Sequence, residues 1–173
     1  ETPPNMVLIP GGNFVMGFTE EDVPSDWDNI PRRVTVSSFF MDQTEMSNAD
    51  YIFYLNWTRA SYASTYPEVY RDALPDTLVW RDELSYNEPY VQNYLRHPAT
   101  QDHPVVGISW NQAREFARWR TDRINESILI DKGILNPSPG AKDDQVFVTD
   151  AYFAGQYDTE PRKGLKDLRN GGD

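Results

Sequence analysis

The stretch HPVVGISWNQAREFARWR, His103 to Arg120, passes from an apolar extended segment into a helix with almost no turn between them. Ser109, followed three residues later by Gln112, matches the Ser-x-x-Gln capping box that opens helices. Apolar residues then recur at helical spacing up to Gly133, a residue type common just after a helix end. The sequence therefore predicts a helix from Trp110 to Lys132, entered from a short β-type segment.

Strand-to-helix junctions often carry active sites, which makes Ser109 the first candidate nucleophile. The tetrapeptide GISW that contains it lacks the second glycine of a nucleophile elbow, and the capping role already accounts for this serine. Trp110, Phe116 and Trp119 form an aromatic set on the predicted helix. Such a set usually packs in a core, and a ligand platform is the alternative. This stretch is therefore expected to build the fold rather than a reaction centre.

A second helix is predicted to begin after Ser47, which has the residue type of an N-cap. Asp50 lies three residues further on, near the positive end of the helix dipole. One face of this helix is lined by Tyr51, Tyr54, Leu55 and Thr58. The sequence thus predicts two main helices, each opened by a serine.

The remaining regular structure is predicted to be short. MVLIPGGNFVMG (Met6–Gly17) indicates two strands joined by a hairpin-like turn at Pro10–Asn13, and RRVTVSSFFMD (Arg32–Asp42) indicates a half-buried strand. The region 62–101 is aromatic, polar and interrupted by proline, with one expected strand around Leu78–Trp80. With thirteen prolines and ten glycines in the chain, these patterns predict a loop-rich α+β domain.

Composition excludes several classes of function. The chain has 173 residues, enough for one domain with a core, and a net charge of −11, which disfavours nucleic acid and anionic lipid as partners. It contains no cysteine, so no disulfide, thiol nucleophile or cysteine-ligated metal exists within these residues. No apolar run approaches the roughly 20 residues of a membrane span.

Two groups of residues were candidates for metal binding. His97 and His103 each precede a proline, and with the nearby Asp102 they offer metal-ligand atoms. A pair of surface-loop imidazoles is nevertheless the favoured interpretation, because no third ligand of both suitable type and suitable spacing accompanies the two histidines. A second group crowds carboxylate and amide oxygens in one loop: Asp22, Asp26, Asp28 and Asn29. That loop lacks the EF-hand period, so an acidic solvent loop is favoured and weak calcium binding is the alternative.

Other chemical candidates have simpler explanations. Glu45 could act as a general acid or base, but a carboxylate just before a helix is more often a capping or dipole partner. The sequons that begin at Asn56 and Asn125 fall within predicted helices, and we interpret them as chance matches. The residues themselves therefore predict no catalytic residue and no cofactor.

Three blocks in order carry a family resemblance: Ile9–Gly17, Asp42–Asn48 and Pro104–Ala113. They resemble the formylglycine-generating-enzyme-like, or sulfatase-modifying-factor, family, and the likeness runs from Met6 to about Glu126 with an insert at about 62–101. The resemblance implies a loop-rich, C-type-lectin-like fold. It also implies that residues 1–173 form one domain, the N-terminal part of a longer sulfatase-modifying-factor-like domain.

The resemblance also bears on activity. The family's enzymes oxidise a substrate cysteine with active-site cysteines near the C-terminal end of the domain, and this chain has none and stops before the block that follows the helix. Three segments, Pro75–Glu88, Gln92–Pro98 and Trp119–Glu126, resemble one branch, the gliding-motility lipoproteins of the type IX secretion system, the J type most closely and the K type next. This likeness implies a non-catalytic scaffold.

Membership of that branch implies a location and partners. The protein would be an outer-membrane lipoprotein on the periplasmic face, anchored through a lipid-bearing cysteine before Glu1, with other secretion and gliding proteins as partners in a large complex. Asp76-Thr77-Leu78 resembles an O-glycosylation motif of the bacterial phylum in which that branch occurs. Thr77 is therefore a predicted modification site.

Partner contacts are predicted at three aromatic residues of the acidic loop and the insert: Trp27, Tyr86 and Tyr90. Two alternatives to a scaffold remain open. One is a formylglycine-generating-type oxidase, which requires cysteines or metal-binding histidines in a further part of the domain. The other is a carbohydrate-binding module, by analogy with lectin-like relatives of the fold.

Overall fold

The computed structural model describes residue 3 and residues 5–17, 30–138 and 140–155. The chain divides into two compact units, residues 1–45 and 46–173. The first contains four short strands, and the second contains five α-helices and three 3₁₀ helices among the described residues. The predicted loop-rich α+β fold with short strands and two main helices is confirmed, whereas its description as one domain with an insert stays a prediction.

The first unit is built from antiparallel strand pairs. Strand β1 (Met6–Ile9) pairs with β4 (Phe39–Asp42), and β2 (Gly12–Met16) pairs with β3 (Arg32–Val36). Ile9 lies opposite Phe39 and Gly12 opposite Val36, so both pairs follow one register. The four strands therefore form one antiparallel ribbon that is interrupted halfway along.

The predicted hairpin between β1 and β2 is wrong, although both strands exist. Pro10 has no N–H to donate, and Gly11 donates its N–H to the Ser38 hydroxyl at 2.9 Å instead of to a neighbouring strand. A Cβ on Gly11 would lie 2.8 Å from the backbone of Ser38 and Val36, so the two chains cross closely here. Pro-Gly-Gly thus marks a break in one continuous ribbon and does not reverse the chain.

The second unit is mainly helical. Its α-helices are α1 (Asn48–Tyr62), α2 (Pro67–Asp72), α3 (Glu88–Asn93), α4 (Trp110–Asp131) and α5 (Thr149–Phe153). Its 3₁₀ helices are Thr77–Trp80, Pro98–Thr100 and Asp143–Gln145. The two long helices, α1 and α4, are those that the sequence predicts.

Helix α1 begins as predicted. The Asp50 N–H donates to the Ser47 hydroxyl at 3.1 Å, and that hydroxyl donates to the Asp50 carboxylate at 2.7 Å. The predicted inner face is buried, because Tyr51, Tyr54, Leu55 and Thr58 are each at most 7% exposed. Local capping and side-chain spacing were therefore sufficient to place this helix.

Helix α4 also matches its prediction to within one residue at its C-terminus. The Gln112 N–H donates to the Ser109 hydroxyl at 3.3 Å, and the Ser109 N–H donates to the Gln112 carbonyl oxygen at 2.8 Å, which completes the capping box. Gly133 follows the helix with a φ of +69°. Trp110 is 72% exposed, so this tryptophan lies outside the core that the sequence assigned to the aromatic set.

An aromatic cluster joins the two long helices. The Phe116 ring of α4 stacks on Tyr51 at 5.6 Å and meets Tyr54 edge-on at 5.4 Å, where both tyrosines belong to α1. Trp119 lies 5.0 Å from Tyr54 at the edge of the same cluster. Leu55 and Ala73 complete the buried set. Because aromatic rings bury large areas, this cluster is a substantial apolar contact between α1 and α4.

The predicted strand at Leu78–Trp80 is wrong, because Thr77–Trp80 forms a 3₁₀ helix. The Asp76 carboxylate accepts the Leu78 N–H at 2.8 Å, which closes a turn at the position where a strand would need extended backbone. The apolar residues that suggested a strand are largely exposed, with Leu78 and Val79 each 53% exposed. A local side-chain cap here outweighs the β propensity of the segment.

Gln112 links the start of α4 to the end of α2. Its substitution should therefore lower the free energy of unfolding more than substitution of Ser109, which only caps α4. The Gln112 side-chain amide donates to the carbonyl oxygens of Asp72 at 2.9 Å and Leu74 at 2.8 Å, in addition to completing the cap. Gln112→Ala removes three hydrogen bonds and should lower the free energy of unfolding by about 2–3 kcal/mol, against about 1 kcal/mol for Ser109→Ala. Urea unfolding followed by circular dichroism measures both.

Asn111→Ala, an exposed position on the same turn of the helix, is the matched control and should lie within about 0.5 kcal/mol of wild type. An equal loss in Gln112→Ala and Asn111→Ala would contradict the linking role of the glutamine amide.

Tyr51 predicts a pH dependence of stability. Its buried hydroxyl donates to the Ala73 carbonyl at 2.8 Å, and burial, followed by the neighbouring Tyr54, raises the pKa of Tyr51 well above its usual range. A raised folded-state pKa contributes stability that is fully present below the unfolded pKa of about 10 and is lost as the pH rises above it. Tyr51→Phe should cost about 1–3 kcal/mol at neutral pH and reduce the alkaline fall in stability.

Unfolding free energies between neutral pH and about pH 11 test this expectation. Tyr86→Phe, at a side chain that is 87% exposed, is the control and should change neither quantity. Identical alkaline slopes for wild type and Tyr51→Phe would rule out the buried hydroxyl as the titrating group.

Candidate interaction surface

The extended segment before α4 fastens the start of α1. The Asn48 N–H donates to the His103 carbonyl and the Val105 N–H donates to the Met46 carbonyl, both at 2.9 Å. The Tyr94 hydroxyl donates to the Pro104 carbonyl at 2.8 Å. The segment that the sequence predicts to be a β-type lead-in therefore forms one isolated bridge, to the residue before α1. It does not extend into a longer strand.

Asn48 extends this fastening to the end of the 62–101 region. Its side chain is fully buried, and its amide donates to the carbonyl oxygens of Tyr94 at 3.1 Å and Thr100 at 2.8 Å. One residue of α1 thus fixes the backbone ahead of the 3₁₀ helix Pro98–Thr100 and at the last residue of that helix. Sequence patterns do not reveal this role, although Asn48 closes one of the three family-like blocks.

Gly107 holds the other end of the segment from Asp76 to Thr100, on the side opposite Asn48. The Asp76 N–H donates to the Gly107 carbonyl at 2.8 Å, and a Cβ on Gly107 would lie 2.1 Å from the Asp76 carbonyl oxygen. Gly107 also has a φ of +75°. Only glycine allows this approach, and a glycine inside an apolar run was the available signal for it.

Between these two anchors lies an aromatic base. The Trp80 ring lies 5.5 Å from the Tyr90 ring and 4.8 Å from the Tyr94 ring, so the 3₁₀ helix Thr77–Trp80 packs against α3. Arg81 and Glu88 form an ion pair at 2.8 Å across the same contact. The segment from Thr77 to Tyr94 is therefore ordered by its own rings and charges as well as by its ends.

The structure exposes the predicted contact residues that it describes. Tyr86 is 87% exposed and Tyr90 is 50% exposed. Thr77, the predicted glycosylation site, is an exposed residue at the start of its 3₁₀ helix. Trp27 lies outside the described residues. The aromatic residues of the insert thus have the accessibility that a contact surface needs, while contact itself stays a prediction.

A second polar arrangement holds the C-terminal described segment on α4. Arg123 lies over the Trp57 ring at 4.7 Å, pairs with Glu126 at 2.7 Å and donates to the Phe147 carbonyl. The Asp122 carboxylate accepts the Thr149 N–H at 2.9 Å, at the start of α5. Burial raises the pKa of Glu126, and the Arg123 guanidinium partly opposes that shift.

Two open cavities flank this arrangement, of about 370 and 680 Å³, and both are walled by Trp57, Trp119, Arg123 and Val146. Charged residues of the smaller cavity also bind the C-terminal segment: Asp122 contacts Thr149, and Arg118 pairs with Asp150 at 3.1 Å. These groups hold the backbone in place, so the cavities are best explained by packing around that segment.

Neither histidine is placed for metal binding with the residues described. The His97 Nδ1 accepts the Ala99 N–H at 3.1 Å, and the His103 ring lies 6.2 Å from the Tyr94 ring. Within residues 5–17, 30–138 and 140–155, no group of three His, Cys, Asp or Glu side chains is arranged to hold a metal ion. The acidic loop from Asp22 to Asn29, for which weak calcium binding was the alternative interpretation, lies outside the described residues, so calcium binding stays untested.

The remaining candidates for chemistry are structural or isolated. Ser109 acts as the α4 cap, and Glu45 is exposed just before α1. Among the helices that the structure describes, none has both the length and the apolar composition needed to cross a membrane. The described part of the chain therefore offers ordered, exposed aromatic side chains more clearly than it offers a reaction centre.

Sequence comparison identifies the family. Residues 1–130 match the family described as the sulfatase-modifying factor enzyme 1-like domain. The chain belongs to this family. The match includes all three of the blocks that carried the resemblance, from the ribbon of the first unit to the capped start of α4.

Members of the sulfatase-modifying-factor family similar to this chain differ in activity. A formylglycine-generating enzyme of Mus musculus is 30% identical over 142 residues, which cover 69% of this chain and 36% of that protein. The inactive C-alpha-formylglycine-generating enzyme 2 of Bos taurus is 28% identical, covering 69% of this chain and 45% of that protein. The uncharacterised protein YfmG of Bacillus subtilis is 27% identical, and the match covers 95% of this chain and 32% of that protein. The chain spans less than half the length of these three relatives.

Gly107 provides a direct test of how the insert is held. Gly107→Ala places a Cβ 2.1 Å from the Asp76 carbonyl, while Gly140→Ala has a similar φ of +80° and no atom within 4 Å. Both variants carry the cost of about 1–2 kcal/mol for a left-handed residue with a Cβ. Gly107→Ala should lose at least about 2 kcal/mol more, because its backbone contact must open.

Thermal or urea unfolding compares the two variants, and hydrogen exchange at Leu78 and Val79 shows where the structure opens. Equal destabilisation by Gly107→Ala and Gly140→Ala, with unchanged exchange in the insert, would contradict the anchoring role.

Proposed function

We propose that this chain is a non-catalytic interaction domain of the sulfatase-modifying-factor family. The observation that carries the proposal is the exposure of Tyr86 and Tyr90 on a segment fixed at both ends, by Gly107 and by Asn48. Exposed aromatics on a rigid support are the usual anchors of protein interfaces, because little entropy is lost when they bind.

Residues of the family-like blocks support the non-catalytic part of the proposal. Ser47 and Ser109 cap helices, Asn48 and Gln112 bind main-chain carbonyls, and Gly107 allows a close backbone contact. Each of these roles builds the fold. Relatives described as inactive formylglycine-generating enzymes are consistent with a family member that keeps the fold without the reaction.

The biological setting that we propose is the type IX secretion and gliding-motility machinery. The support is the likeness of Pro75–Glu88, Gln92–Pro98 and Trp119–Glu126 to lipoproteins of that system. In this setting the domain is a scaffold on the periplasmic face of the outer membrane, held by a lipid anchor before Glu1, and its partners are other proteins of the machinery. The proposal invokes no cofactor.

The alternative of a formylglycine-generating oxidase is favoured by one observation, the 30% identity to the mouse enzyme. The two proposals differ in an assay of the full-length protein. Conversion of a cysteine to formylglycine in a sulfatase-derived peptide would support the oxidase and contradict the non-catalytic domain.

Substitution of the two tyrosines tests the scaffold. In the full-length protein in its native host, Tyr86→Ala/Tyr90→Ala should weaken association with the secretion complex by about thirtyfold or more, because each truncation removes an aromatic anchor worth about 1 kcal/mol or more. Size-exclusion chromatography of the solubilised complex measures assembly, and the amount of secreted cargo measures its consequence.

The matched control is Tyr66→Ala/Phe153→Ala, which also removes two exposed aromatic rings, at 42% and 80% exposure, but outside the segment from Thr77 to Tyr94. The control should assemble normally. Normal assembly in both double variants would show that the proposed anchors do not hold the complex together.

A further inference from the structure

Among the residues that the structure describes, the most exposed large apolar side chain is not one of the predicted contacts. Leu84 is 96% exposed, at the tip of the turn between the 3₁₀ helix Thr77–Trp80 and α3. Four other large apolar side chains of the same segment are at least half exposed: Leu78, Val79, Tyr86 and Tyr90. Single exposed leucines are ordinary, but five such residues in one short ordered segment indicate a contact surface.

The turn that carries Leu84 is held in shape by hydrogen bonds. The Asp82 carboxylate accepts the Leu84 N–H at 3.0 Å, and residues Asp82 and Ser85 form an isolated bridge. The Asn87 N–H donates to the Ser85 carbonyl at 3.0 Å, which leads directly into α3. Because the turn is already ordered, insertion of Leu84 into a partner would lose little conformational entropy.

The charges around this turn are predominantly negative. Asp76, Asp82, Glu83 and Glu88 lie in the segment with one cation, Arg81, which pairs with Glu88. Asp76 and Asp82 accept main-chain N–H groups yet remain exposed. A surface that presents a leucine within a negative rim complements an apolar pocket with a positive rim.

The same charges argue against two other occupants. In a symmetric contact with a second copy, Asp82 and Glu83 would face a like-charged surface of the other copy near the axis. A membrane containing anionic lipids would repel the same rim. A partner protein with a basic surface avoids both costs.

We infer that the Asp82–Ser85 turn is a binding element that inserts Leu84 into an apolar pocket on a partner protein whose rim carries Lys or Arg. This inference rests on the proposed scaffold function and adds the chemistry of the partner and the residue that enters it. Glu83 supplies rim charge, and Tyr86 and Tyr90 cover the neighbouring partner surface.

Site-specific photocrosslinking tests the inference in the full-length protein in its native host. The probe is p-benzoylphenylalanine, introduced as Leu84→p-benzoylphenylalanine, with Arg59→p-benzoylphenylalanine on an exposed position of α1 as the control. The expected result is one dominant protein adduct from position 84 and none of that mass from position 59. Mass spectrometry should place the crosslink in a partner region where Lys and Arg outnumber Asp and Glu.

A charge reversal adds a second measurement. Glu83→Lys, combined with the crosslinker at 84, should lower the adduct yield by about tenfold, while Glu68→Lys on α2, also exposed, should leave it unchanged. Raising the salt concentration to about 0.5 M before irradiation should lower the yield in the same direction. Circular dichroism confirms that both variants are folded.

Several outcomes would overturn the inference. These are a crosslink between two copies of this chain, an adduct on an acidic surface, an adduct with lipid alone, the absence of any adduct from position 84, and equal effects of the two charge reversals. Failure of the scaffold proposal can be told apart from failure of this inference. A crosslink from position 84 to a basic partner surface, together with normal complex assembly in Tyr86→Ala/Tyr90→Ala, would support the binding element and contradict the scaffold.

Discussion

The side-chain amide of Gln112 is the contact on which most of the second unit depends. Its oxygen completes the N-terminal cap of α4, and its nitrogen binds the carbonyls of Asp72, the last residue of α2, and of Leu74, two residues further on. One residue therefore fixes the relative position of two helices. The aromatic cluster of Tyr51, Tyr54 and Phe116 adds the contact between α4 and α1.

The features that could be predicted from the sequence are those determined by residues close together along the chain. Ser47 and Ser109 cap helices three residues downstream, and the buried face of α1 follows from side-chain spacing alone. Each of these needs only neighbours within about one helical turn. This is why the two main helices were placed correctly.

The errors arise where a distant or competing contact decides the structure. Pro10 and Gly11 have the composition of a hairpin turn. However, β1 and β2 do not pair with each other, because each pairs with a strand beyond residue 30, and the two pairs follow one register. Leu78 to Trp80 have β propensity, which the Asp76 cap overrides. Asn48 and Gly107 were missed because their partners lie in other segments, so nothing adjacent to them reveals their roles.

Side chains of the two long helices bind main-chain carbonyl groups of the segments around them. Gln112 binds the carbonyls of Asp72 and Leu74, Tyr51 binds that of Ala73, and Asn48 binds those of Tyr94 and Thr100. A carbonyl is present whatever residue carries it. The exposed positions between these points are consequently free to drift in evolution without loss of the fold, so one framework can acquire new recognition surfaces by substitution in the insert alone.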